Sequence, residues 1–206
     1  MNERYWQNWD AGDTAERIDA FWLGSPYEQE SRRMLAADLA RVFAPAGERT
    51  LYEVGCGTGL MTAALFEAGW SKDSYRGGDV SEAMLAIARE RHPEVTFEHA
   101  DVLNLPERGA DEVACIHVLQ HLPHYRDALA QLVRFTRRRL YVATWLVDAP
   151  EDRLAFSPVG ANPGDQSFHD NRYALPPFVE ALRGLTGREP AVQRLTDLTC
   201  SVVVDL

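Results

Sequence analysis

The segment LYEVGCGTG at residues 51–59 carries the residue spacing with the clearest chemical meaning in this chain. Gly55, Gly57 and Gly59 directly follow an apolar run, and glycine allows the backbone to pass close to a bound ligand. We therefore expect a nucleotide-like cofactor across this turn, although glycine here can also serve only to join a strand to a helix. NAD and ATP are disfavoured. The dinucleotide pattern G-x-G-x-x-G fails at Leu60, and no Gly-Lys-Ser/Thr follows for a phosphate loop.

Two aspartates follow the next two apolar runs. Asp79 lies 20 residues after Gly59, where a carboxylate can accept hydrogen bonds from both ribose hydroxyls; the alternative is an aspartate that only makes a turn. Asp101 can accept a hydrogen bond from an adenine amino group, and the backbone N–H of Val102 can donate one. Because such folds bind ligands at the carboxyl ends of adjacent strands, we expect these groups beside the glycine turn.

Three histidines are candidates for acid–base chemistry, because imidazole titrates near neutral pH. His121 follows the fourth predicted strand in HVLQHLP and is the leading candidate for substrate contact or for a general base. His169, in SFHDNRY, is the second catalytic candidate. His121 and His124 are three residues apart, but Pro123 lies between them and no third ligand is evident, so no metal site is predicted.

Strand and helix patterns alternate along the chain and must position these residues. Apolar runs predict strands at 50–54, 75–80, 95–100, 111–118, 140–146, 192–195 and 200–205, and helical spacing predicts helices at 27–45, 60–68, 81–92, 125–136 and 176–185. This alternation predicts an α/β fold: a mostly parallel seven-stranded sheet with helices on both faces and an antiparallel C-terminal strand.

The chain length predicts one domain over residues 1–206, with a cofactor-binding core at 46–146. Residues 1–45 are expected to form a helical cap, and their aromatic side chains either cover a ligand or only anchor the segment. The aromatic residues of its first part are Tyr5, Trp6, Trp9, Phe21 and Trp22. Residues 147–175 have no clear period and are either a substrate lid or a mobile insertion.

Composition excludes several partners. Lys and Arg total 21 against 31 for Asp and Glu, a net charge of −10, which should repel phosphate backbones and anionic lipid. We expect neither nucleic acid nor a membrane as a partner. The three arginines at 137–139 are expected to close a helix, at the negative end of its dipole. No CxxC pair and no apolar leader is present, which favours a cytoplasmic location.

Four segments together resemble a known family. LYEVGCGTGL, GGDVSEAMLAIAR, HADVLNLP and DEVACIHVLQHLPHYRDAL follow one another in this order. They resemble the class I methyltransferases that use S-adenosylmethionine (SAM), and specifically the small type-11 group, which acts mostly on metabolites. The resemblance covers residues 27–146, and more weakly the rest. It implies a Rossmann-like fold and SAM-dependent methyl transfer to an oxygen or nitrogen atom of a small molecule.

The resemblance also implies roles for individual residues. It places Glu53, Gly55 and Gly57 around the methionine part of SAM, Asp79 and Val80 at the ribose, Met84, Asp101 and Val102 at the adenine, His117 at the amino acid end, and Tyr5 at the SAM carboxylate. Met84 could instead be simple core packing, and His117 a hydrogen-bonded strand residue.

Rival functions remain open at this point. An NAD-dependent oxidoreductase is disfavoured by the glycine spacing, and an aminopropyl transferase usually has an acidic pair where this chain has Gln120 and His121. A non-catalytic SAM-binding module is compatible with every cofactor motif. The Asn/Asp-Pro-Pro-Tyr motif of methyltransferases that act on nucleobase or glutamine amino groups is absent, as is a carboxylate set for magnesium. The sequence carries no signal for an oligomeric state.

Overall fold

The computed structural model describes residues 6–43, 50–158 and 167–206. Its α-helices are α1 (Thr14–Gly24), α2 (Pro26–Phe43), α3 (Leu60–Glu67), α4 (Glu82–Arg91), α5 (Arg126–Phe135) and α6 (Leu175–Thr186). Its strands are β1 (Leu51–Val54), β2 (Tyr75–Asp79), β3 (Thr96–His99), β4 (Ala110–Ile116), β5 (Thr136–Val147), β6 (Phe156–Pro158), β7 (Ser167–His169), β8 (Tyr173–Ala174), β9 (Ala191–Arg194) and β10 (Thr199–Asp205).

The main sheet has the strand order β3-β2-β1-β4-β5-β10-β9. The first five strands in this order are parallel, and β10 pairs antiparallel with both β5 and β9. The predicted α/β fold is confirmed; the two-residue strand β8 adds an eighth member beside the end of β5. Strand order reverses between β1 and β4, so a crevice forms at their carboxyl ends, where such sheets bind ligands.

Both faces of the sheet are buried, as the near-continuous apolar character of β4 requires. Successive residues of β4 enter different cores: Val113 and Cys115 join the core under α5 and α6, whereas Ala114 and Ile116 join the core under α2, α3 and α4. Alternate residues of a strand point to opposite faces. The helices therefore hold the strand ends, and the loops that follow them, in fixed positions.

The N-terminal segment packs across the carboxyl ends of the strands. A short 3₁₀ helix at Gln7–Asp10 precedes α1. Asp10 Oδ1 accepts hydrogen bonds from Ser81 Oγ (2.6 Å) and from the backbone N–H of Ala83 (3.1 Å), at the N-terminus of α4. On the other side, Asn8 Nδ2 donates to the carbonyl oxygen of Ser167 (2.7 Å) in β7. The segment thus bridges α4 and the β6–β7 hairpin.

The stretch 147–175 contains more regular structure than its sequence indicates. Strands β6 and β7 form an antiparallel pair, with Phe156 opposite His169. Three-residue strands are too short to show a period, which is why the sequence predicted none here.

The expectation for the three arginines at 137–139 is wrong. Helix α5 ends at Phe135, and the arginines lie in β5, which begins at Thr136 and pairs with β4 from its first residue. Arg137 lies 3.6 Å from Asp111, and Arg139 donates to the carbonyl oxygen of Val42 (2.6 Å). Pairing with the neighbouring strand takes the backbone out of the helix before the charges are reached.

Replacing Asp10 by alanine should loosen the N-terminal segment. The change removes both hydrogen bonds to the start of α4 and a negative charge near its positive dipole end, a loss of about 1 kcal/mol in the free energy of unfolding. Limited proteolysis should then cut within residues 6–24 faster than in the parent protein. Asp13→Ala is the matched control, because Asp13 is exposed and its carboxylate makes no capping bond to α1. Equal cleavage rates in both variants would contradict the docking role.

Candidate functional site

A cavity of about 560 Å³, the main cavity, opens at the carboxyl ends of β1 and β4. A second cavity of about 100 Å³, the narrow cavity, adjoins it at the ends of β2 and β3. Both are lined by Trp9, Trp22, Gly55, Gly57, His117 and His121, so the two form one continuous cleft. The cleft lies at the predicted switch point of the sheet.

The glycine turn forms the floor between the two cavities. Gly55 has a φ of +77°, and a Cβ atom there would lie 2.1 Å from Cγ2 of Val118. No other residue fits this combination of left-handed backbone and close approach. The backbone N–H groups of Gly55 and Cys56 both donate to the carbonyl oxygen of Gly78, at 2.7 and 3.1 Å. The turn is thereby held against β2.

The carboxylate of Asp79 ties the glycine turn to the start of α4. Its Oδ2 accepts the N–H of Gly57 (2.9 Å), and its Oδ1 accepts the N–H of Ser81 (2.9 Å). Burial raises the pKa of Asp79, while these backbone donors oppose the rise. Each oxygen retains a second lone pair, so the group can still accept hydrogen bonds from a ligand in the narrow cavity that it lines.

The narrow cavity is a mostly apolar slot. Val80, Met84, Ala100 and Val102 line it, and Met84 is 2% exposed, so this side chain serves the core as well as the slot wall. Asp101 follows β3 but is not among the lining residues. Its Oδ1 accepts the N–H of Leu103 (2.9 Å) in a local turn. The slot suits a flat heterocycle, with Asp101 beside its entrance in sequence.

Glu53 lies beneath the glycine turn and is 2% exposed. Its carboxylate accepts a hydrogen bond from the Tyr75 hydroxyl, which also lies 2.8 Å from Thr62 Oγ1. Burial raises the pKa of Glu53 to about 7; the Tyr75 hydrogen bond lowers it and the charge of Asp79 raises it further. A cationic group in the main cavity would favour the ionised form.

Thr58 is a site residue that the sequence analysis did not single out. It is 1% exposed and lines the main cavity, and its hydroxyl has no hydrogen-bond partner among the described residues. Buried hydroxyls are rarely unpaired, because desolvation without a hydrogen bond costs free energy. An orphaned hydroxyl inside a cavity indicates that a ligand supplies the partner.

His117 follows β4 with a φ of +53°, which is uncommon for a residue other than glycine and is concentrated at functional sites. Its backbone N–H donates to the carbonyl oxygen of Ala143 (2.8 Å), and its Nε2 lies 3.2 Å from Thr199 Oγ1. Burial lowers the pKa of His117 to about 4, with smaller contributions from the charges of His121 and Arg32. The imidazole is therefore neutral at physiological pH.

His121 has a defined tautomer. Its Nδ1 lies 2.7 Å from the carbonyl oxygen of His169, which can only accept, so Nδ1 carries the proton. Burial lowers the pKa of His121 although this carbonyl opposes the effect, so the ring is neutral and Nε2 is left as an acceptor. The ring centroid lies 5.3 Å from that of Trp9 and 6.3 Å from that of Trp145.

The structure does not bring the imidazole of His169 into the cleft. That ring packs against Phe156, with 4.9 Å between ring centroids, whereas the preceding residue, Phe168, lines the main cavity. Successive residues of β7 point to opposite faces, so only one of the two can reach the ligand. His169 contributes its backbone carbonyl to His121 instead. The remaining predicted contact, Tyr5, lies outside the described residues.

One face of α1 forms a wall of the main cavity, and the sequence analysis missed it. The residues of this face are Thr14, Arg17, Ile18, Phe21 and Trp22, at helical spacing. Arg32 of α2, Gln120 and Trp145 also line the cavity. The helical spacing of the α1 residues was visible in the sequence, whereas the pairing of α1 with the ends of β1 and β4 was not.

Two other searches returned nothing among the residues that the structure describes. No cluster of three histidine, cysteine or acidic side chains there could bind a metal ion. No helix in the described ranges has the length and apolar character needed to cross a bilayer.

Comparison with known proteins finds methyltransferases. Residues 51–139 match the family model of a methyltransferase domain. A trans-aconitate 2-methyltransferase of Methylobacterium nodulans is 41% identical over 118 residues, 56% of this chain and 45% of that protein. An O-methyltransferase of Penicillium expansum is 31% identical over 139 residues, 61% of this chain and 50% of that protein. The matches cover half or less of the length of these curated relatives.

A solved structure shows the same fold. It is the Burkholderia thailandensis 1,6-didemethyltoxoflavin-N1-methyltransferase with bound 1,6-didemethyltoxoflavin and S-adenosylhomocysteine. It covers 97% of this chain and 86% of its own, with a TM-score of 0.66 and 17% sequence identity. At this identity the likeness concerns the fold alone. Together with the family match, it confirms the resemblance to class I methyltransferases.

Asparagine at His117 should change how stability depends on pH. Unfolded histidine has a pKa of about 6.5, above the folded value of about 4 for His117. The unfolded chain therefore binds a proton first as pH falls. The contribution of His117 is complete above about pH 6.5 and is lost towards about pH 4. Asparagine tolerates the left-handed backbone and does not titrate.

Urea unfolding at two pH values measures this effect. Between about pH 7.5 and about pH 5, the parent protein should lose about 2 kcal/mol more free energy of unfolding than His117→Asn. The exposed His124→Asn serves as the control and should follow the parent protein. Parallel pH dependence in the parent and in His117→Asn would show that His117 is protonated alike in both states.

Proposed function

We propose, because residues 51–139 form a methyltransferase domain on a class I fold, that this chain binds SAM and transfers its methyl group to an oxygen atom of a small molecule. The observation that carries the proposal is the cleft at the switch point, with the Asp79 carboxylate holding the glycine turn between the two cavities. The names of the trans-aconitate and O-methyltransferase relatives favour oxygen over nitrogen.

The narrow cavity fits the adenosine part of SAM. The adenine would lie between Val80, Met84 and Val102, with Asp101 available to its amino group. Asp79 would accept hydrogen bonds from the ribose hydroxyls with the lone pairs that its backbone donors leave. These assignments retain the residues that the sequence indicated for this part of the cofactor.

The main cavity fits the methionine part beside the glycine turn. The absence of a Cβ at Gly55 and Gly57 leaves room for the chain of the cofactor, and the orphaned hydroxyl of Thr58 would donate to its carboxylate. Arg32, which lines the same cavity and pairs with Glu28 at 3.6 Å, offers the positive charge. Glu53 lies below, where its ionised form would attract the ammonium group.

The reaction asks mainly for positioning from the protein. When bound, SAM supplies an activated methyl group on a sulfonium, and the residues of the chain have to align an acceptor in line with it. The aromatic rings of Trp9, Trp145 and Phe168 wall the space beyond the glycine turn and exclude water. Neutral His121 faces the acceptor, and its Nε2 can accept a hydrogen bond from it.

We further propose that the flanking segments complete the same domain. Residues 1–45 would act as the cap, since Trp9 and Trp22 line both cavities. Residues 147–175 would act as the substrate lid, because Phe168 reaches the main cavity and Ser167 is hydrogen-bonded to the cap through Asn8. A small acceptor would enter between the two segments.

Calorimetric titration with S-adenosylhomocysteine tests the cofactor assignment, with NAD titrated in parallel. We expect micromolar binding of the former alone. Asp79→Ala should weaken this binding by about 1–3 kcal/mol, the scale for lost hydrogen bonds to a charged group. Asp73→Ala, at an exposed position seven residues before the strand ends its turn region, should bind like the parent protein.

The outcomes separate the alternatives. Binding of NAD, or of neither ligand, would refute the proposed function, and unchanged affinity in a folded Asp79→Ala protein would refute the ribose contact. Binding without turnover on any acceptor would leave a non-catalytic SAM-binding module.

Thr58→Val provides a sharper prediction, because valine has nearly the same shape without the hydroxyl. Since the hydroxyl is buried and unpaired in the free protein, its removal should leave the free energy of unfolding unchanged or raise it. Affinity for S-adenosylhomocysteine should fall by about 1 kcal/mol or more, because the hydrogen bond to its carboxylate is lost. Lower stability together with unchanged affinity would show that Thr58 is structural. Thr62→Val, which removes a hydroxyl already paired with Tyr75, is the control and should lose stability.

A further inference from the structure

We infer that the methyl acceptor is a carboxylic acid with a flat unsaturated body, and that Arg17 and Gln120 bind its carboxylate. The inference rests on the proposed function and names the substrate class of the same site. The two residues come from opposite walls of the main cavity: Arg17 from α1, and Gln120 from the 3₁₀ helix Leu119–His121 that follows β4.

The orientation of the Gln120 amide is set by its neighbours. Gln120 is 1% exposed, and its Oε1 accepts a hydrogen bond from the Thr144 hydroxyl (2.9 Å). Its backbone carbonyl accepts the N–H of Asn171 (2.9 Å), which fixes the residue further. The amide group left over is Nε2, which can only donate and has no acceptor among the described residues. A buried donor on a cavity wall calls for an oxygen acceptor on the ligand.

The charges around the main cavity also favour an anion, although the whole chain carries −10. Its two acidic lining residues are already engaged: Glu28 lies 3.6 Å from Arg32, and Glu53 accepts the Tyr75 hydroxyl. Arg17 lies at the mouth, with 49% of its side chain exposed, 4.0 Å from the exposed Asp13. A pair that is this exposed and this long contributes little, so a carboxylate in the cavity can take over the guanidinium.

The rest of the acceptor space is aromatic. Phe21 and Trp22 of α1 face the cleft together with Trp145 and Phe168. Flat rings of this kind pack well against a planar body and exclude water around it. A carboxylate attached to an unsaturated or aromatic body satisfies the aromatic walls, the amide donor and the guanidinium together.

The transfer step then needs no general base. A lone pair of the carboxylate oxygen forms the new bond to the methyl carbon, the carbon–sulfur bond breaks, and its electron pair stays on sulfur. The products are a methyl ester and S-adenosylhomocysteine, and no proton is released. A hydroxyl acceptor would release one proton. His121 is accordingly a positioning residue in this reaction.

Methylation assays with labelled SAM and titrations into protein saturated with S-adenosylhomocysteine test the inference. The probes are trans-aconitate and cinnamate as acids, cinnamamide as the neutral analogue of the latter, and a catechol as a hydroxyl acceptor. We expect at least one acid to bind and to yield a methyl ester without proton release in weak buffer, and the amide and catechol to be inert.

Three variants test the two residues. Gln120→Glu keeps an oxygen for Thr144 but replaces the donor with a carboxylate, so KM for the acid should rise at least tenfold with unchanged affinity for S-adenosylhomocysteine. Arg17→Met should raise KM similarly, and Arg17→Lys should restore part of it. Arg33→Met, which removes an exposed arginine of α2 paired with Glu30, is the control and should behave like the parent protein.

Each outcome decides the matter. Protein that binds S-adenosylhomocysteine but neither binds nor methylates either acid would overturn the inference and leave the proposed function standing. Equal use of the acid and its amide, or unchanged KM in both Gln120→Glu and Arg17→Met, would overturn it as well. Failure to bind S-adenosylhomocysteine at all would instead count against the proposed function.

Discussion

The Asp79 carboxylate is the interaction on which the rest of the site depends. One oxygen holds the N–H of Gly57 and the other holds the N–H of Ser81, so the turn after β1 and the start of α4 share a single anchor. A buried charge needs such donors to offset its desolvation. The same arrangement separates the narrow cavity from the main cavity, and it leaves acceptor capacity directed at the place where they meet.

A second layer of structure rests on this anchor. Ser81 caps α4 by accepting the N–H of Met84 (3.1 Å), and its hydroxyl donates to Asp10 of the N-terminal segment. The cap residue thereby connects the cofactor side of the cleft to the segment that covers it. Trp9, one residue before Asp10, packs on His121 and on Phe168 of the β6–β7 hairpin. Cofactor floor, cap and acceptor wall are thus one connected set of contacts.

Local sequence pattern was sufficient for most of the fold. The runs that became β1 to β5, β9 and β10 are apolar and bounded by turn residues, and α3 to α6 have clear helical spacing, so local preference and tertiary environment agree. The pattern failed where an element owes its form to a partner. Strands β6, β7 and β8 are two or three residues long, and the arginines at 137–139 became strand residues because β4 pairs with them.

The sequence alone determined the glycine turn, the carboxylate after β2 and the strand order that brings them together, because these follow from spacing along one chain segment. Only the tertiary structure decided which side chains face the ligand. It turned Phe168 inward and His169 away, fixed the tautomer of His121 through a carbonyl 48 residues distant, and brought Arg17, Arg32 and Gln120 to one cavity. These contacts join residues far apart in sequence, and their geometry depends on packing that no local pattern records.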